Sequence, residues 1–207
     1  MNIGIILTTR GFVFTEVMQS LLKELEGYEY EIFMSHNLPI PECQNTLIEK
    51  ALLGDFTHFL FIEEDVVIPE GAVDDMMMAK GDIVAIDYGV NEWSCITRYK
   101  DEILWCGLGC TLVKREVFEG MERPFFRSDK ALLLNDWPNI TWIDAGKQAY
   151  GGQDIYFCMK AREKGFTIQQ VFGEARHLKL EELGRREINN GHHCVLDKPR
   201  ISKHNKL

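Results

Sequence analysis

FLFIEEDVVIPEG, Phe59 to Gly71, drives one continuous apolar stretch straight into three adjacent acids. Thr57 to Ile62 has the length and composition of a buried strand. Glu63, Glu64 and Asp65 therefore stand at a strand's carboxyl end, where like charges repel unless something compensates them. Pro69 then opens a helix as a first-turn proline, through Val73 and the Met76-Met77-Met78 cluster.

Outward from this segment the same alternation continues. Asn2 to Thr8 is a short β-branched and apolar run, a first strand. Phe14 to Glu26 sets Val17, Leu21, Leu22 and Leu25 at helical spacing and ends on Gly27. Tyr28 to Ser35 reads as a second strand, Glu42 to Leu53 as a helix after Pro39 and Pro41, and Asp82 to Asp87 as a fourth strand. This order predicts an α/β fold: one Rossmann-like domain with a mostly parallel central sheet flanked by helices. Further on, Trp105 to Val113 reads as a strand, Arg115 to Met121 as a short helix, Asp154 to Lys164 as an amphipathic helix and Phe166 to Phe172 as a last strand. Asp129 to Gly152 reads as a mobile loop. In open α/β sheets ligands bind beyond the carboxyl ends of the strands, which is where the three acids lie.

Composition narrows the class. With 207 residues, 45% of them hydrophobic, the chain suits one domain with a substantial core. A net charge of −9 argues against nucleic acid as a partner. The six cysteines are scattered among apolar neighbours, as reduced core thiols of a cytoplasmic protein would be. The Gly-Leu-Gly between Cys106 and Cys110, with no second pair, argues against a zinc site there. No run is long enough to span a membrane, and MNIGIILTTRG lacks the basic start and cleavage pattern of a signal peptide. After Gly184 the chain turns basic, so residues 185–207 read as a tail, either solvated or folding as a flap over an anionic ligand, appended to a domain of residues 1–184.

The acids admit two readings, a solvated acidic turn or a site for a hard divalent cation such as Mg²⁺ or Mn²⁺. Alternation along an extended backbone puts Glu63 and Asp65 on one side and Glu64 on the other. Three more stretches bear on the choice: WCGLGCTLVKREVFEGMERPFF (Trp105 to Phe126), GGQDIYFCMKAREKGFTIQQ (Gly151 to Gln170) and EARHLKLEELG (Glu174 to Gly184).

FLFIEEDVVIP, CGLGCTLVKREVFE and GGQDIYFCMKAREKGF, in that order, resemble the nucleotide-sugar glycosyltransferases of the GT-A fold, family 2-like and of the Asp-x-Asp type. The resemblance covers Asn2 to His177. It implies a metal held by Asp65, Glu63 and His177, with Glu63 standing where the family usually has Asp and Glu64 as the motif's middle residue beside the donor. It implies Asp154 as the catalytic base of an inverting enzyme, preceded by Gln153 where the family has Glu. Thr8, Thr9 and Arg10 fall where nucleobase and ribose lie, and Gly107 and Gly109 where the backbone approaches the donor sugar. Asn45 falls in an Arg-Asn pair that meets the nucleotide, with Gln44 in the arginine's place; Asp87 is a further candidate partner of the sugar. The expected cofactor is Mn²⁺ or Mg²⁺. The expected partners are a nucleoside diphosphate sugar, by default UDP-linked, and a glycan or other hydroxyl acceptor. Arg176, Lys179, Arg185 or Arg186 are expected to cover the diphosphate. Two other classes use similar parts. A nucleotidyltransferase normally carries a glycine-rich basic loop after the first strand, which TTRGFVF matches poorly; a non-catalytic nucleotide- or glycan-binding module would tolerate Gln153 and Glu63.

Overall fold

The alternation of strand and helix read from the sequence is the alternation found in the computed structural model, which describes residues 2–35, 38–90, 93–136, 138–145 and 152–178. The first half runs β1 (Asn2–Thr8), α1 (Thr15–Glu24), β2 (Glu29–Ser35), α2 (Ile40–Ala51), β3 (His58–Glu63), a two-residue β4 (Val66–Val67), α3 (Ala72–Met78) and β5 (Ile83–Val90). The second half runs β6 (Trp93–Ser94), β7 (Ile96–Tyr99), β8 (Glu102–Cys106), β9 (Cys110–Lys114), α4 (Arg115–Gly120), β10 (Lys130–Asp136), β11 (Asn139–Asp144), α5 (Gly152–Glu163) and β12 (Ile168–His177). No helix among the described residues is long and apolar enough to cross a membrane.

The central sheet has the order β2-β1-β3-β9-β5-β12-β4, with β6 added to β5. Strands β2, β1 and β3 are parallel, as are β5 and β12, while β9 runs antiparallel between β3 and β5. The sheet is therefore mostly parallel. Parallel strands are covered on both faces and so are apolar throughout rather than alternating. Accordingly Ile3, Ile5, Ile6 and Leu7 of β1, and Phe59 to Ile62 of β3, are almost wholly buried.

Three differences from the sequence reading have physical causes. The single strand expected over Trp105 to Val113 is two, broken at Gly107-Leu108-Gly109: β8 pairs with β7 in a separate hairpin, and β9 enters the central sheet. The loop expected from Asp129 to Gly152 contains the hairpin β10–β11, in which Leu132 lies opposite Trp142 and Ala131 opposite Ile143; its many Asn and Asp residues hid the pairing. The last strand reaches His177, past an irregularity between Gln170 and Glu174 where Gly173 takes φ 130°.

Aromatic rings fill the core beneath the site. Phe157 of α5 stacks on Phe126 at 4.9 Å and on Phe118 at 5.3 Å, and Phe118 meets Phe59 of β3 edge-on at 5.5 Å. Phe157 lies one turn beyond Asp154, so this stack fixes the helix that presents Asp154.

Candidate functional site

β3 delivers Glu63, and the turn after it delivers Glu64 and Asp65. The two-residue β4 that follows pairs antiparallel with the end of β12, with Val66 opposite His177. That pairing carries His177 to Asp65: Nε2 stands 3.4 Å from Asp65 Oδ1. Glu63, Asp65 and His177 each offer a ligand atom, and these atoms lie within 4.8 Å of one another. The other imidazole nitrogen, Nδ1, is 3.2 Å from the Gly89 carbonyl oxygen. A carbonyl only accepts, so Nδ1 carries the hydrogen and Nε2 is turned toward the acids. Tyr88 packs edge-on against the same ring at 5.8 Å.

The repulsion among the acids is relieved separately for each. Glu64 is 4% exposed, and its carboxylate accepts from both the backbone N–H and the Nε of Arg10. The same guanidinium reaches Asp65 at 3.2 Å. Burial, followed by the charges of Asp154 and Asp65, pushes Glu63 up to about 8, so near neutral pH it keeps its proton. Asp65 raises the pKa of His177 by hydrogen bond and charge, against an opposing effect of burial. A solvated acidic turn does not describe this corner, because the Asp65 side chain is only 14% exposed and every acid in it has a partner or a proton.

Asp154 stands beside Glu63, near the start of α5. Burial pushes it up to about 7, while the Leu108 N–H at 3.4 Å and the Gln44 side chain favour its charged form. Gln44 approaches the carboxylate but leaves Asp154 Oδ1 without a hydrogen bond among the described residues. Gln153 is buried at 5% exposure.

The Gly-Leu-Gly break is shaped by Tyr88, whose phenolic oxygen accepts the Gly109 N–H at 2.9 Å. The Gly109 carbonyl in turn accepts the Glu63 N–H at 3.2 Å. A Cβ at position 109 would fall 2.6 Å from the Tyr88 oxygen and 3.0 Å from Glu63 Oε2; one at 107 would fall 2.5 Å from the same phenol. Tyr88 is itself buried and has little room to retreat. Gly109→Ala is thus expected to cost about 1–3 kcal/mol of overpacking, read by urea unfolding, and to displace the Glu63 side chain.

The remaining expected residues are distributed as follows. Thr8 lies opposite Glu63 in register, and Thr9 is tied into its own turn, donating to the Phe12 carbonyl and accepting the Gly11 N–H. Asn45 is engaged at both amide ends by the Phe126 backbone, at 2.9 and 3.1 Å. Asp87 accepts from Ser94 at 2.8 Å and from the Cys95 N–H at 3.1 Å. Arg176 pairs with Glu16. Lys179, Arg185, Arg186 and the whole of 185–207 lie outside the described residues. Cys106 and Cys110 are buried free thiols. Tyr88 and the Gly89 carbonyl were missed in the sequence, where Asp87-Tyr88-Gly89 reads only as the end of a strand. The one signal available was a bulky phenol set against two glycines twenty residues downstream.

A cavity of about 760 Å³ lies elsewhere, among Arg98, Glu102, Ile140, Arg162 and Phe166. It flanks the amino-terminal end of β12, whereas the acids and His177 gather at the carboxyl ends of β3 and β12. Ligands of such sheets bind at the carboxyl rim, so we assign the candidate site to the acidic corner.

No protein-family model matches the sequence, and no curated protein matches it. Among solved structures, the chain is similar to A197 from STIV, with TM-score 0.61 and 22% identity over 87% of each chain. A glycosyltransferase involved in the glycosylation of the major capsid of PBCV-1 matches at TM-score 0.38 and 15% identity, over 66% of this chain and 71% of that one. The inositol-1-phosphate CTP transferase from T. maritima matches at TM-score 0.40 and 11% identity, over 86% of this chain and 74% of that one. The first of these likenesses bears on the fold alone.

Proposed function

We propose that this chain is a GT-A-like, metal-dependent glycosyltransferase, moving a sugar from a nucleoside diphosphate donor, UDP by default, to an acceptor hydroxyl with inversion. The observation that carries this reading is the convergence of Glu63, Asp65 and His177 at the carboxyl ends of β3 and β12, with Asp154 beside Glu63.

Two carboxylates and an imidazole are a donor set suited to Mn²⁺ or Mg²⁺, and the Gly89 carbonyl holds His177 in the tautomer whose Nε2 can ligate. A divalent cation held there supplies positive charge to the departing diphosphate. The protein's own residues do the rest. Glu63, which burial keeps protonated near neutral pH, would release its proton to ligate a cation. Arg10 remains bound to Glu64, keeping that carboxylate out of the site. Asp154, held at about 7, is matched to proton abstraction near neutral pH. It takes the acceptor's hydroxyl proton as the acceptor oxygen bonds to the anomeric carbon. The bond from that carbon to the diphosphate oxygen breaks, and the electron pair leaves on the diphosphate.

Calorimetric titration with UDP, with and without Mn²⁺, followed by a product assay with UDP-sugars, tests the reading. Expected are manganese-dependent UDP binding and release of UDP during turnover. Release of pyrophosphate from a nucleoside triphosphate would assign nucleotidyl transfer instead, and binding with no turnover would leave a nucleotide-binding module.

A further inference from the structure

Tyr88 of β5 is 3% exposed and meets the acidic corner at several points. Its ring packs edge-on against the His177 imidazole, with centroids 5.8 Å apart, and the carbonyl of the next residue, Gly89, lies 3.2 Å from His177 Nδ1. Its phenolic oxygen accepts the Gly109 N–H at 2.9 Å, and the Gly109 carbonyl accepts the Glu63 N–H at 3.2 Å. Its backbone carbonyl accepts the Cys95 N–H at 3.1 Å, and the Cys95 carbonyl accepts the Gly107 N–H at 2.9 Å. The break between β8 and β9 is thus tied to Tyr88 at both glycines. Leu108, between them, directs its N–H to Asp154 Oδ2 at 3.4 Å. A Cβ at either glycine would collide with the phenol, so the break is moulded to this one side chain.

We propose that Tyr88 is the positioning residue of the cation site: it aligns His177 through its ring and Glu63 through Gly109, and sets both against Asp154 through Leu108. The inference rests on the metal-dependent reading and deepens it. Tyr88 touches neither cation nor substrate; it limits where the donor atoms can stand. Ligation tolerates errors of only about 0.2 Å in donor distance, and these donors come from two separate elements, the end of β3 and the end of β12. Ring and oxygen have separable tasks. Removing the oxygen alone leaves the Gly109 N–H buried without its acceptor and loosens the strand end that carries Glu63, while His177 stays packed. Removing the ring as well frees the imidazole to turn away from Gly89.

The test titrates the full chain with Mn²⁺ by calorimetry and records the EPR spectrum of the bound ion. The tautomer of His177 is read in the metal-free protein by nitrogen NMR at alkaline pH, where the imidazole is neutral. Wild type is expected to bind Mn²⁺ and to hold the proton on Nδ1. Tyr88→Phe should keep that tautomer, weaken manganese about tenfold and alter the EPR line shape; Tyr88→Leu should weaken it about 100-fold and give mixed tautomers. Phe56→Leu, a core change just before the amino end of β3, should lower Tm and leave affinity, spectrum and tautomer as in wild type. If Tyr88→Leu does not fold, the Phe variant decides alone. Three results overturn this proposal and leave the metal site standing: Tyr88→Phe within about twofold of wild-type affinity with an unchanged spectrum, an unchanged tautomer in folded Tyr88→Leu, or an equal loss of affinity in Phe56→Leu. Absence of manganese binding in wild type overturns it together with the metal-dependent reading.

Discussion

Asp154→Asn is expected to lower kcat by about 10²–10⁴-fold, the usual contribution of a positioned general base, with the KM for the nucleotide donor within about twofold of wild type. Asn matches the carboxylate in shape, and Oδ2 lies where an amide can still be accommodated opposite Leu108. The aromatic stack through Phe157 anchors α5 independently of residue 154. Loss of turnover with preserved folding would therefore locate the defect in proton abstraction. In wild type the acid limb of kcat should titrate near 7, the value to which burial brings Asp154. In Asp154→Asn that limb should vanish from the residual rate. Initial rates across pH, together with a thermal melt, check both expectations; retained turnover removes Asp154 from the role.

The second large effect concerns pH and metal together. Glu63 ionises at about 8 without a cation, and His177 is raised by Asp65. Ligation needs both deprotonated, so manganese affinity should rise at least tenfold per pH unit until about 8. Calorimetry in buffers of different ionisation enthalpy should detect the released protons. The metal-free protein should behave in the opposite sense. Glu63, Asp154 and His177 all have folded-state pKa values above their ordinary ones, so the native state binds more protons than the unfolded chain. Their contribution is fully present below the ordinary carboxylate range and is lost as pH rises through about 7 to 8. Stability should thus decline with rising pH, with Tm dropping by about 10 °C between roughly pH 5 and pH 8. Glu63→Gln should flatten that slope and weaken manganese binding by about 100-fold or more. A metal-free Tm that climbs over this window would show that the acidic corner is not protonated as described.

Much of this arrangement was legible in the sequence because it follows from periodicity. The apolar runs at Asn2–Thr8 and Phe59–Ile62 specify parallel strands buried on both faces, and the order of elements places Glu63 and Asp65 at the carboxyl rim of the sheet. The pairing of Asp65 with His177 was legible only through the resemblance, since nothing local brings Val66 against His177. The insertion of β9 between β3 and β5 was not legible, because Cys110–Lys114 is apolar whichever way it runs. Nor was the burial of Gln44 beside Asp154. A glutamine near the start of a helix looks solvated, and only the packing of α2 against the segment at Phe126 shows that it is buried. Tyr88 belongs with these, since its two glycine partners lie across the sheet.

The short β4–β12 pairing sets a condition on the order of events during synthesis. Asp65 and Val66 leave the ribosome long before His177, which meets them both. Until then Glu63 has no imidazole beside it and β5 has no outer neighbour. A nascent chain halted before β12 would therefore carry an acidic strand end without His177 beside it.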